Sequence, residues 1–352
     1  MLKTIITRDY EEVANSSVDF KAFDNKTIMV TGATGLIGSL LIKSLLYCNE
    51  KHNLHLKIIG CVRNIEKAKE VFKDLKDENS LVFCVCDFRK DSIQYAGDVD
   101  YIVHTAAITN SKMMVEYPID TAMIAINGTN SLLDYAIKSK AKSVVYLSSM
   151  EAYGQLNLDD KVNEKQLGYI NINNPRSSYP ESKRMCECLC VAYNSQHNLN
   201  VKIVRLAQTF GAGIAENENR VFAQFARSVI EKKDIVLHTI GKSEGNYVYT
   251  SDAIIGILLI LLKGKSGEIY NLSNENSHMT IKDMAEMVAN EIAQGNIKVI
   301  YDIPKNQMQY GYAPDTKLWL DATKIKELGW EPKISLKESY YRTIEWLRSI
   351  PV

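Results

Sequence analysis

The sequence lacks the features that would direct the chain to a membrane or a polyanion. No apolar run reaches the 18 residues of a transmembrane helix, and "IIGILLILL" has only nine. The first 25 residues contain no apolar segment of signal-peptide length. The 42 basic side chains balance the 42 acidic ones, so net charge attracts neither nucleic acid nor an anionic lipid surface. We therefore expect a cytoplasmic protein with no nucleic-acid and no membrane partner.

The chain also lacks the paired spacings of a metal or disulfide site. It has seven cysteines, an odd number, and no CxxC or HxxxH pattern. Three of the cysteines stand close together in "SSYPESKRMCECLC" (177–190). On a helix Cys186 and Cys190 share one face and Cys188 points away, so the three thiolates do not converge on one zinc ion. This pattern predicts packing cysteines in a reducing compartment, and no metal.

What the sequence does contain is a regular alternation of short apolar runs with longer amphipathic stretches. The runs are "TIMVTG", "LKIIGCV", "LVFCVCD", "DYIVHTAA", "KSVVYLSS", "VKIVRLAQ" and, further on, "EIYNLS" (268–273). Helical patterns lie near 36–48, 65–77, 119–139, 179–197, 219–233, 252–263 and 280–294. Continuous apolar strands that alternate with helices indicate a parallel sheet covered on both faces.

This alternation predicts the domain organisation. We expect an α/β protein with a doubly wound, parallel, Rossmann-type sheet and a smaller α/β substrate-binding lobe towards the C-terminus. The predicted divisions are a helical N-terminal extension (1–25), a domain built on the sheet (26–206, joined again by 246–275), which the glycine pattern described next makes the dinucleotide-binding domain, and the lobe (207–245 and 276–352). The lobe should lie over the carboxyl edge of the sheet, where ligands bind in open α/β folds.

A glycine pattern stands where the first strand meets the first helix of the sheet. In "TIMVTGATGLIGSLL", Gly32, Gly35 and Gly38 form TGxxGxxG, which lets a pyrophosphate approach the backbone at a helix N-terminus. The second strand ends in "IIGCVRN", with Arg63 and no acid. Arginine there accommodates a 2′-phosphate, so NADP is favoured over NAD unless Arg63 is merely solvated. Asp87, after the third strand, suits either the adenine amino group or a helix cap.

Four side chains near the fifth strand suggest proton chemistry. Ser148 and Ser149 end that strand, and Tyr179 and Lys183 share one face of a predicted helix. Ser178 is expected to cap this helix in a capping box with an acid three residues later. Tyrosine has a pKa of about 10 and is a poor base at neutral pH. A neighbouring ammonium and a cationic oxidised nicotinamide would both lower the tyrosine pKa.

The ordered set of motifs resembles the extended short-chain dehydrogenase/reductase family over residues 26 to 348. The set comprises TGxxGxxG, "HTAA" (104–107), "NGT" (127–129), "SSMEAYG", YxxxK, "RLAQTFG" (205–211) and "YVYTSDA" (247–253). That family includes nucleotide-sugar epimerases, dehydratases and decarboxylases. The resemblance implies an NAD(P)-dependent enzyme that acts on a nucleotide-activated sugar. It also implies a homodimer formed through the helices at 119–139 and 179–197.

The resemblance assigns roles to the residues that match the motifs. Tyr179 would be the general acid–base, Lys183 would hold the nicotinamide ribose, and Ser149 would hydrogen-bond the reacting oxygen. Glu151 falls where dehydratases and decarboxylases carry a glutamate that abstracts a proton α to a keto group. The alternative for Glu151 is a carboxylate bonded to loop backbone. The implied cofactor contacts are Gly32, Thr34, Gly35, Leu36, Ile37, Gly38, Arg63, Asp87, Phe88, Thr105, Ala106, Ala107, Asn127, Ser148, Tyr179, Lys183 and Leu206.

The chain departs from the family pattern on the substrate side. Met150 replaces the aspartate of some dehydratases, and a thioether cannot protonate a leaving hydroxyl. Gly245 stands in place of an arginine, and "QYGYAPDTK" (309–317) lacks another. The implied substrate contacts are Ser149, Met150, Gln208 (usually Asn), Arg220, Tyr247 and Lys317. The two cations are either diphosphate ligands or solvated surface groups. His104 and His238 are expected to be structural.

Three activities are compatible with this pattern. In the first, the enzyme oxidises a nucleotide-sugar hydroxyl, a neighbouring carbon changes, and the same hydride returns, as in epimerases and dehydratases; Glu151 favours this. In the second, it is a net NADPH-dependent reductase of a nucleotide-linked keto sugar or ketose, which Arg63 and the missing arginines favour. In the third, it is a cofactor-binding regulator without turnover, which the complete Ser–Tyr–Lys set argues against.

Overall fold

The computed structural model describes residues 4–75, 80–156, 158–303 and 315–350. The strands are β1 (Thr27–Thr31), β2 (Lys57–Val62), β3 (Leu81–Val85), β4 (Tyr101–His104), β5 (Ser143–Ser149), β6 (Val201–Leu206), β7 (Gln208–Phe210), β8 (Ile235–Leu237), β9 (Glu244–Tyr249), β10 (Ile269–Leu272), β11 (Asn274–Thr280) and β12 (Val299–Tyr301). The α-helices are α1 (Ile5–Ala14), α2 (Leu36–His52), α3 (Ile65–Val71), α4 (Ser111–Glu116), α5 (Pro118–Lys138), α6 (Ser178–His197), α7 (Val221–Glu231), α8 (Thr250–Lys263), α9 (Ile281–Met287), α10 (Thr323–Lys326) and α11 (Leu336–Ser349).

Seven strands form one parallel sheet in the order β10-β6-β5-β4-β1-β2-β3. The chain runs outward from β1 to β3 and then returns to β4 on the other side of β1. This reversal opens a crevice at the carboxyl ends of β1 and β4, which is the ligand site of doubly wound sheets. The predicted Rossmann-type sheet is confirmed, with all seven predicted runs as its strands.

Both faces of the sheet are buried, which explains why the strands are continuously apolar. On one face, α2 and α8 pack against side chains such as Val30 and Val145. On the other face, α5 and α6 pack against side chains such as Met29 and Tyr146. Cys186 and Cys190 are buried in this second layer, and Cys188 is exposed, as the helical spacing predicts.

A smaller unit of short strands follows the sheet. β11, β9 and β7 form a three-stranded sheet, and β12 pairs with β8. Helices α7, α9 and α11 pack around its core, which contains Phe210 and Tyr340. Residues 246–249, predicted to return to the dinucleotide-binding domain, lie instead in β9 of this small sheet, whereas β10 joins the large sheet. No helix in the described ranges has the length and apolar character needed to cross a bilayer.

The N-terminal extension is helical, as predicted, and is tied to the body of the protein by buried charge. Arg342 of α11 donates to Asp9 and to Glu12 of α1 at 2.8 Å each. The Tyr249 hydroxyl donates to Asp9 at 2.7 Å. Burial raises the pKa of Asp9 to about 7, and the bonds from Tyr249 and Arg342 oppose that rise. The extension is therefore an integral part of the fold.

The predicted capping box at α6 is wrong. Ser178 is the first helical residue, and its buried hydroxyl has no partner among the described residues. Ser177, the residue before it, already has a helical backbone and makes no side-chain cap. A 3₁₀ turn (Pro175–Ser177) leads directly into the helix, and Asn174 caps that turn by accepting from Arg176 N at 3.0 Å. The chain thus enters α6 already helical, so the capping position moves upstream.

Candidate active site

The glycine-rich turn after β1 leaves no room for side chains. Gly32 has φ +64°, and a Cβ there would lie 2.8 Å from both the Ala106 nitrogen and the Thr105 hydroxyl. A Cβ on Gly38 would overlap the Gly32 carbonyl. Gly35 precedes α2 without a side-chain cap, so the first N–H groups of α2 are not bonded to a capping side chain. The backbone cradle therefore fits a dinucleotide pyrophosphate, with Thr34, Leu36 and Ile37 within it.

The residues after β4 complete this part of the crevice. Thr105 donates to the Thr31 carbonyl at 2.7 Å, and Ala106 N donates to the Thr31 hydroxyl at 3.4 Å; Ala107 follows. His104 shares hydrogen bonds with Thr31 at 2.6 Å and Thr129 at 3.3 Å. Burial lowers the pKa of His104 to about 3, so the ring stays neutral. This environment agrees with the predicted structural role.

The end of the crevice beside β2 and β3, where the sequence predicts the adenosine, carries three charged side chains. Arg63 is exposed after β2, and Asp87 follows β3, the adjacent strand. Arg89 donates to Asp87 at 2.5 Å, and this bond, with a smaller contribution from the charge of Arg63, lowers the pKa of Asp87 to about 2. No acidic residue stands at the end of β2, as the sequence analysis noted. Because β2 pairs with β3, however, the carboxylate of Asp87 lies near Arg63.

Other predicted cofactor residues are placed less directly. Phe88 is buried, with its ring edge-on to His104 at 6.0 Å. Asn127 is exposed on α5, and Leu206 ends β6 half-buried. The Ser148 hydroxyl donates its proton to buried Glu187 at 2.5 Å, and the cofactor contact expected of Ser148 stays a prediction. The alternating orientation of a strand explains the bond to Glu187, because Ser148 and Ser149 point to opposite faces of β5.

Tyr179, Ser149 and Lys183 meet at the carboxyl end of β5. Tyr179 is buried in the first turn of α6, and a hydrogen bond with Ser149 stabilises its ionised form. Lys183 lies one helical turn later. Its Nζ donates to the Leu147 carbonyl at 2.7 Å and stands 5.9 Å from the centroid of the Tyr179 ring.

The pKa values in this group are set mainly by burial. Desolvation raises the pKa of Tyr179 to about 12; the charge of Glu151 raises it, and the bond from Ser149 and the charges of Arg176 and Arg220 lower it. The expected lowering of the Tyr179 pKa by the Lys183 ammonium stays a prediction. The pKa of Lys183 itself is lowered by burial to about 8. The Lys183 ammonium is bonded to the Leu147 carbonyl.

Glu151 lies beside Tyr179 and is bound by an arginine that the sequence analysis did not single out. Arg176 Nη2 donates to both carboxylate oxygens of Glu151, at 2.9 and 2.8 Å. Its guanidinium lies 5.6 Å from the centroid of the Tyr179 ring. The expected alternative of a backbone-bonded Glu151 is therefore wrong. The available signal was "PRSSY", which places a cation just before the helix that carries Tyr179.

The predicted substrate residues are only partly brought together. A Cβ on Gly245 would find Met150 Cε at 3.9 Å and nothing closer, so position 245 faces the segment that carries Glu151. Gln208 in β7 pairs with Tyr247 in β9. The Tyr247 ring is buried against Phe210, with centroids 6.0 Å apart, and the substrate contact expected of it stays a prediction. Side chains alternate between the two faces of a strand, and the Tyr247 side chain lies on the face of β9 that packs into the core of the lobe.

The two candidate diphosphate ligands have different surroundings. Arg220 donates to Glu218 at 2.7 Å, and its charge lowers the pKa of Tyr179, so it lies within electrostatic range of the site. Lys317 pairs with Asp159 on the surface and is not among the groups that most affect Tyr179. The stretch "QYGYAPDTK" (309–317) lacks the arginine of the family pattern, and its residues 309–314 lie outside the described residues. His238 shares a hydrogen bond with the Asp302 carbonyl at 2.9 Å, away from this group.

Comparison with known proteins identifies the family. The model for the "NAD dependent epimerase/dehydratase family" matches residues 28–273, which is more than half of the chain. The chain belongs to this family. The predicted resemblance to extended short-chain dehydrogenases/reductases is confirmed, and the chain is an enzyme of that class with a nicotinamide-dinucleotide cofactor.

Relatives of this epimerase/dehydratase family member catalyse different reactions. Human dTDP-D-glucose 4,6-dehydratase is 26% identical over 338 residues, 92% of this chain and 90% of the relative. The UDP-N-acetyl-alpha-D-glucosaminuronate decarboxylase of Bacillus cytotoxicus is 26% identical over 328 residues, 92% and 98% of the two chains. The structure of dTDP-glucose 4,6-dehydratase from Bacillus anthracis in complex with NAD has a TM-score of 0.73 at 22% identity. That match covers 92% of this chain and 96% of the other, and it shows the shared fold.

Behind the site, this epimerase/dehydratase family member contains a buried ion pair. Arg205 of β6 donates to Glu187 of α6 through Nε at 3.0 Å and Nη2 at 2.7 Å. Glu187 lies one helical turn beyond Lys183 and also accepts the Ser148 hydroxyl. The guanidinium of Arg205 stacks 4.5 Å from the centroid of the Tyr153 ring. The pair connects β5, β6 and α6 directly beneath the residues expected to react.

Proposed function

We propose that this enzyme converts a nucleotide-activated sugar through a keto intermediate, as an epimerase/dehydratase-type enzyme that recycles its hydride. The observation that carries the proposal is a carboxylate next to the tyrosine: Arg176 bonds both oxygens of Glu151 and lies 5.6 Å from the centroid of the Tyr179 ring, and Ser149 Oγ accepts from the Glu151 N–H. A phenol alone serves an oxidation or a reduction, whereas a carboxylate beside it also serves proton transfer at the neighbouring carbon. The relatives named as dehydratases and decarboxylases of dTDP- and UDP-linked sugars support this substrate class.

Each residue has a defined part in the proposed reaction. When bound, the nicotinamide supplies the hydride acceptor and donor. Tyr179 takes the proton of the sugar hydroxyl and later returns it, while Ser149 holds the reacting oxygen by a hydrogen bond. The chain alone leaves the Tyr179 pKa high, and a bound, positively charged nicotinamide would lower it. Lys183 holds the ribose, and Glu151 exchanges the proton α to the keto group.

One experiment separates this proposal from the net-reductase alternative. Purified protein is denatured and any released dinucleotide identified, and a panel of dTDP- and UDP-linked sugars is then incubated with enzyme and followed at the reduced-nicotinamide absorbance band. Hydride recycling predicts an altered sugar with no net change in nicotinamide. A reductase predicts oxidation of one NADPH per sugar. Arg63 and the missing arginine at position 245 favour the reductase, so stoichiometric NADPH consumption would replace the main proposal.

The cofactor preference is tested at Arg63. We propose that NADP(H) binds more tightly than NAD(H), because a guanidinium is a permanently charged partner for a 2′-phosphate. Arg63→Ala should remove most of the difference. A charge-assisted contact of about 1.5–3 kcal/mol corresponds to roughly tenfold to a hundredfold in affinity. Calorimetric titration of the wild-type and Arg63→Ala proteins with both dinucleotides measures this difference in affinity.

Arg89→Ala is the matched control for that titration. Arg89 is also exposed at this end of the sheet, but its guanidinium is already bonded to Asp87. The preference for NADP should survive its loss. If Arg89→Ala abolishes the preference and Arg63→Ala does not, the assignment of the 2′-phosphate site moves to Arg89. Equal affinities of the wild-type protein for both dinucleotides would contradict the proposal altogether.

We also propose a cytoplasmic homodimer formed through α5 and α6, which pack on each other. Their outer surface exposes Ile119, Met123 and Met185, and a twofold axis there would bury the same patch on both subunits. Light scattering at micromolar concentration should give twice the mass of the chain. In Ile119→Asp the measured mass should fall towards that of the monomer. Ile300→Asp, which changes an exposed isoleucine of β12, should not. A monomeric wild-type protein would contradict the proposal.

A further inference from the structure

The ion pair between Arg176 and Glu151 lies within the reacting group. Arg176 is largely buried, with 16% of its side chain exposed, while 37% of the Glu151 side chain is exposed. Only Nη2 of the guanidinium bonds Glu151, and it contacts both oxygens. The pair therefore fixes where the carboxylate stands relative to Tyr179, since rotation of Glu151 would break two charge-assisted bonds.

Two short turns hold the partners independently. Glu151 lies in the 3₁₀ turn Met150–Tyr153, where Ser149 Oγ accepts from its backbone N–H at 3.2 Å. Arg176 lies in the separate turn that leads into α6, and Asn174 accepts from its backbone N–H. Each backbone is anchored by its own cap, so the side-chain pair joins two preformed turns. The Arg176–Glu151 ion pair is therefore preorganised by the two turns, unlike a pair of mobile surface side chains.

The two charges act on Tyr179 in opposite directions. Glu151 raises the pKa of Tyr179, and Arg176 lowers it. Burial has already raised that pKa to about 12, so an unbalanced carboxylate would oppose formation of the phenolate further. Position 245, which faces the Glu151 segment through Met150, is glycine and brings no cation. The charge of Arg220 also lowers the Tyr179 pKa, but Arg220 is bonded to Glu218, so the cation bonded to Glu151 itself is Arg176.

We infer that Arg176 is a positioning residue of the catalytic site, which holds the Glu151 carboxylate beside Tyr179 and offsets its negative charge there. The inference rests on the proposed function for the roles of Glu151 and Tyr179. It explains how one site keeps both a carboxylate base and a tyrosine base usable. A carboxylate without a partner would be free to turn away, and its charge would hold the proton on the phenol.

The test follows the ionisation of Tyr179 directly. The protein is labelled with ring-¹³C tyrosine and saturated with oxidised cofactor, and its tyrosine signals are followed by NMR as the pH is raised. The chain has 19 tyrosines, and the signal of Tyr179 is the one that disappears in Tyr179→Phe. Arg176→Gln should move the titration midpoint to higher pH, and Glu151→Gln to lower pH. The double variant should return near the wild type, because both charges are then gone. Arg176→Lys, which keeps the charge, should stay near the wild type.

These outcomes bear on the inference without any sugar being turned over. Failure to find a sugar substrate would remove the proposed function while leaving the shifts in place. A midpoint that stays unchanged or falls in folded Arg176→Gln would overturn the inference. So would a double variant that keeps the full upward shift, because Arg176 would then act without Glu151. If Arg176→Gln does not fold, Glu151→Gln and Arg176→Lys test the same balance, and an unmoved midpoint in Glu151→Gln refutes it.

Discussion

Tyr179→Phe is expected to lower turnover of the sugar substrate about 10²–10⁴-fold, the usual contribution of a general acid–base. The substitution removes only the hydroxyl, which hydrogen-bonds with Ser149 and is the group that takes the sugar proton in the proposed reaction. The ring stays in place at the first turn of α6, so folding and dinucleotide affinity should remain close to those of the wild type. Steady-state kinetics and calorimetric titration with the dinucleotide measure both quantities.

Tyr340→Phe is the matched control for this loss. Tyr340 is also fully buried, but it lies in the core of the C-terminal lobe, and its hydroxyl has no partner among the described residues. Its removal should leave turnover within threefold of the wild type. If Tyr179→Phe also stays within threefold, the proton passes through another group and the assignment of Tyr179 fails.

Arg205→Met is expected to lower the free energy of unfolding by about 3–5 kcal/mol, the usual cost of breaking a buried ion pair from one side. Arg205 and Glu187 are almost completely buried, with 2% and 7% of their side chains exposed. Without the guanidinium, the Glu187 carboxylate keeps only the Ser148 hydroxyl as a side-chain partner among the described residues. Chemical denaturation followed by circular dichroism gives the free energy directly.

The double variant Glu187→Leu/Arg205→Met separates the charge from the packing. Two apolar side chains leave no unpaired charge, so much of the lost stability should return. An Arg205→Met protein as stable as the wild type would show that Glu187 becomes protonated or reaches water. A double variant less stable than Arg205→Met would show that losing the Ser148–Glu187 hydrogen bond costs more than removing the unpaired carboxylate gains.

The interior of the sheet was predictable because burial constrains composition. A strand covered on both faces carries mostly apolar side chains, so the apolar runs in "KIIGCV" and "SVVYLS" predict β2 and β5. The glycine turn was predictable for a similar local reason, since Gly32 and Gly38 stand where a side chain would collide with backbone. Tyr179 and Lys183 share one face of a helix, so their proximity also follows from spacing alone.

Side-chain direction near the site was less predictable. Ser148 and Ser149 are consecutive, and only the structure shows that the first hydroxyl serves Glu187 while the second faces Tyr179. Tyr247 stands in a motif that suggested a substrate contact, yet its ring is buried against Phe210. Each of these positions is consistent with a strand, and which face meets the crevice depends on the layers packed on either side.

The sequence by itself therefore determined the parallel sheet, the dinucleotide cradle and the Tyr–Lys spacing, because each depends on residues close together in the chain. Only the tertiary structure decided the charge pairs. Arg176 meets Glu151 across two separate turns, and Asp87 comes beside Arg63 because β3 pairs with β2. Arg205 meets Glu187 because β6 lies beneath α6. Coulomb attraction depends on distance in space, and no pattern along the chain records which distant side chains the packing brings within 3 Å.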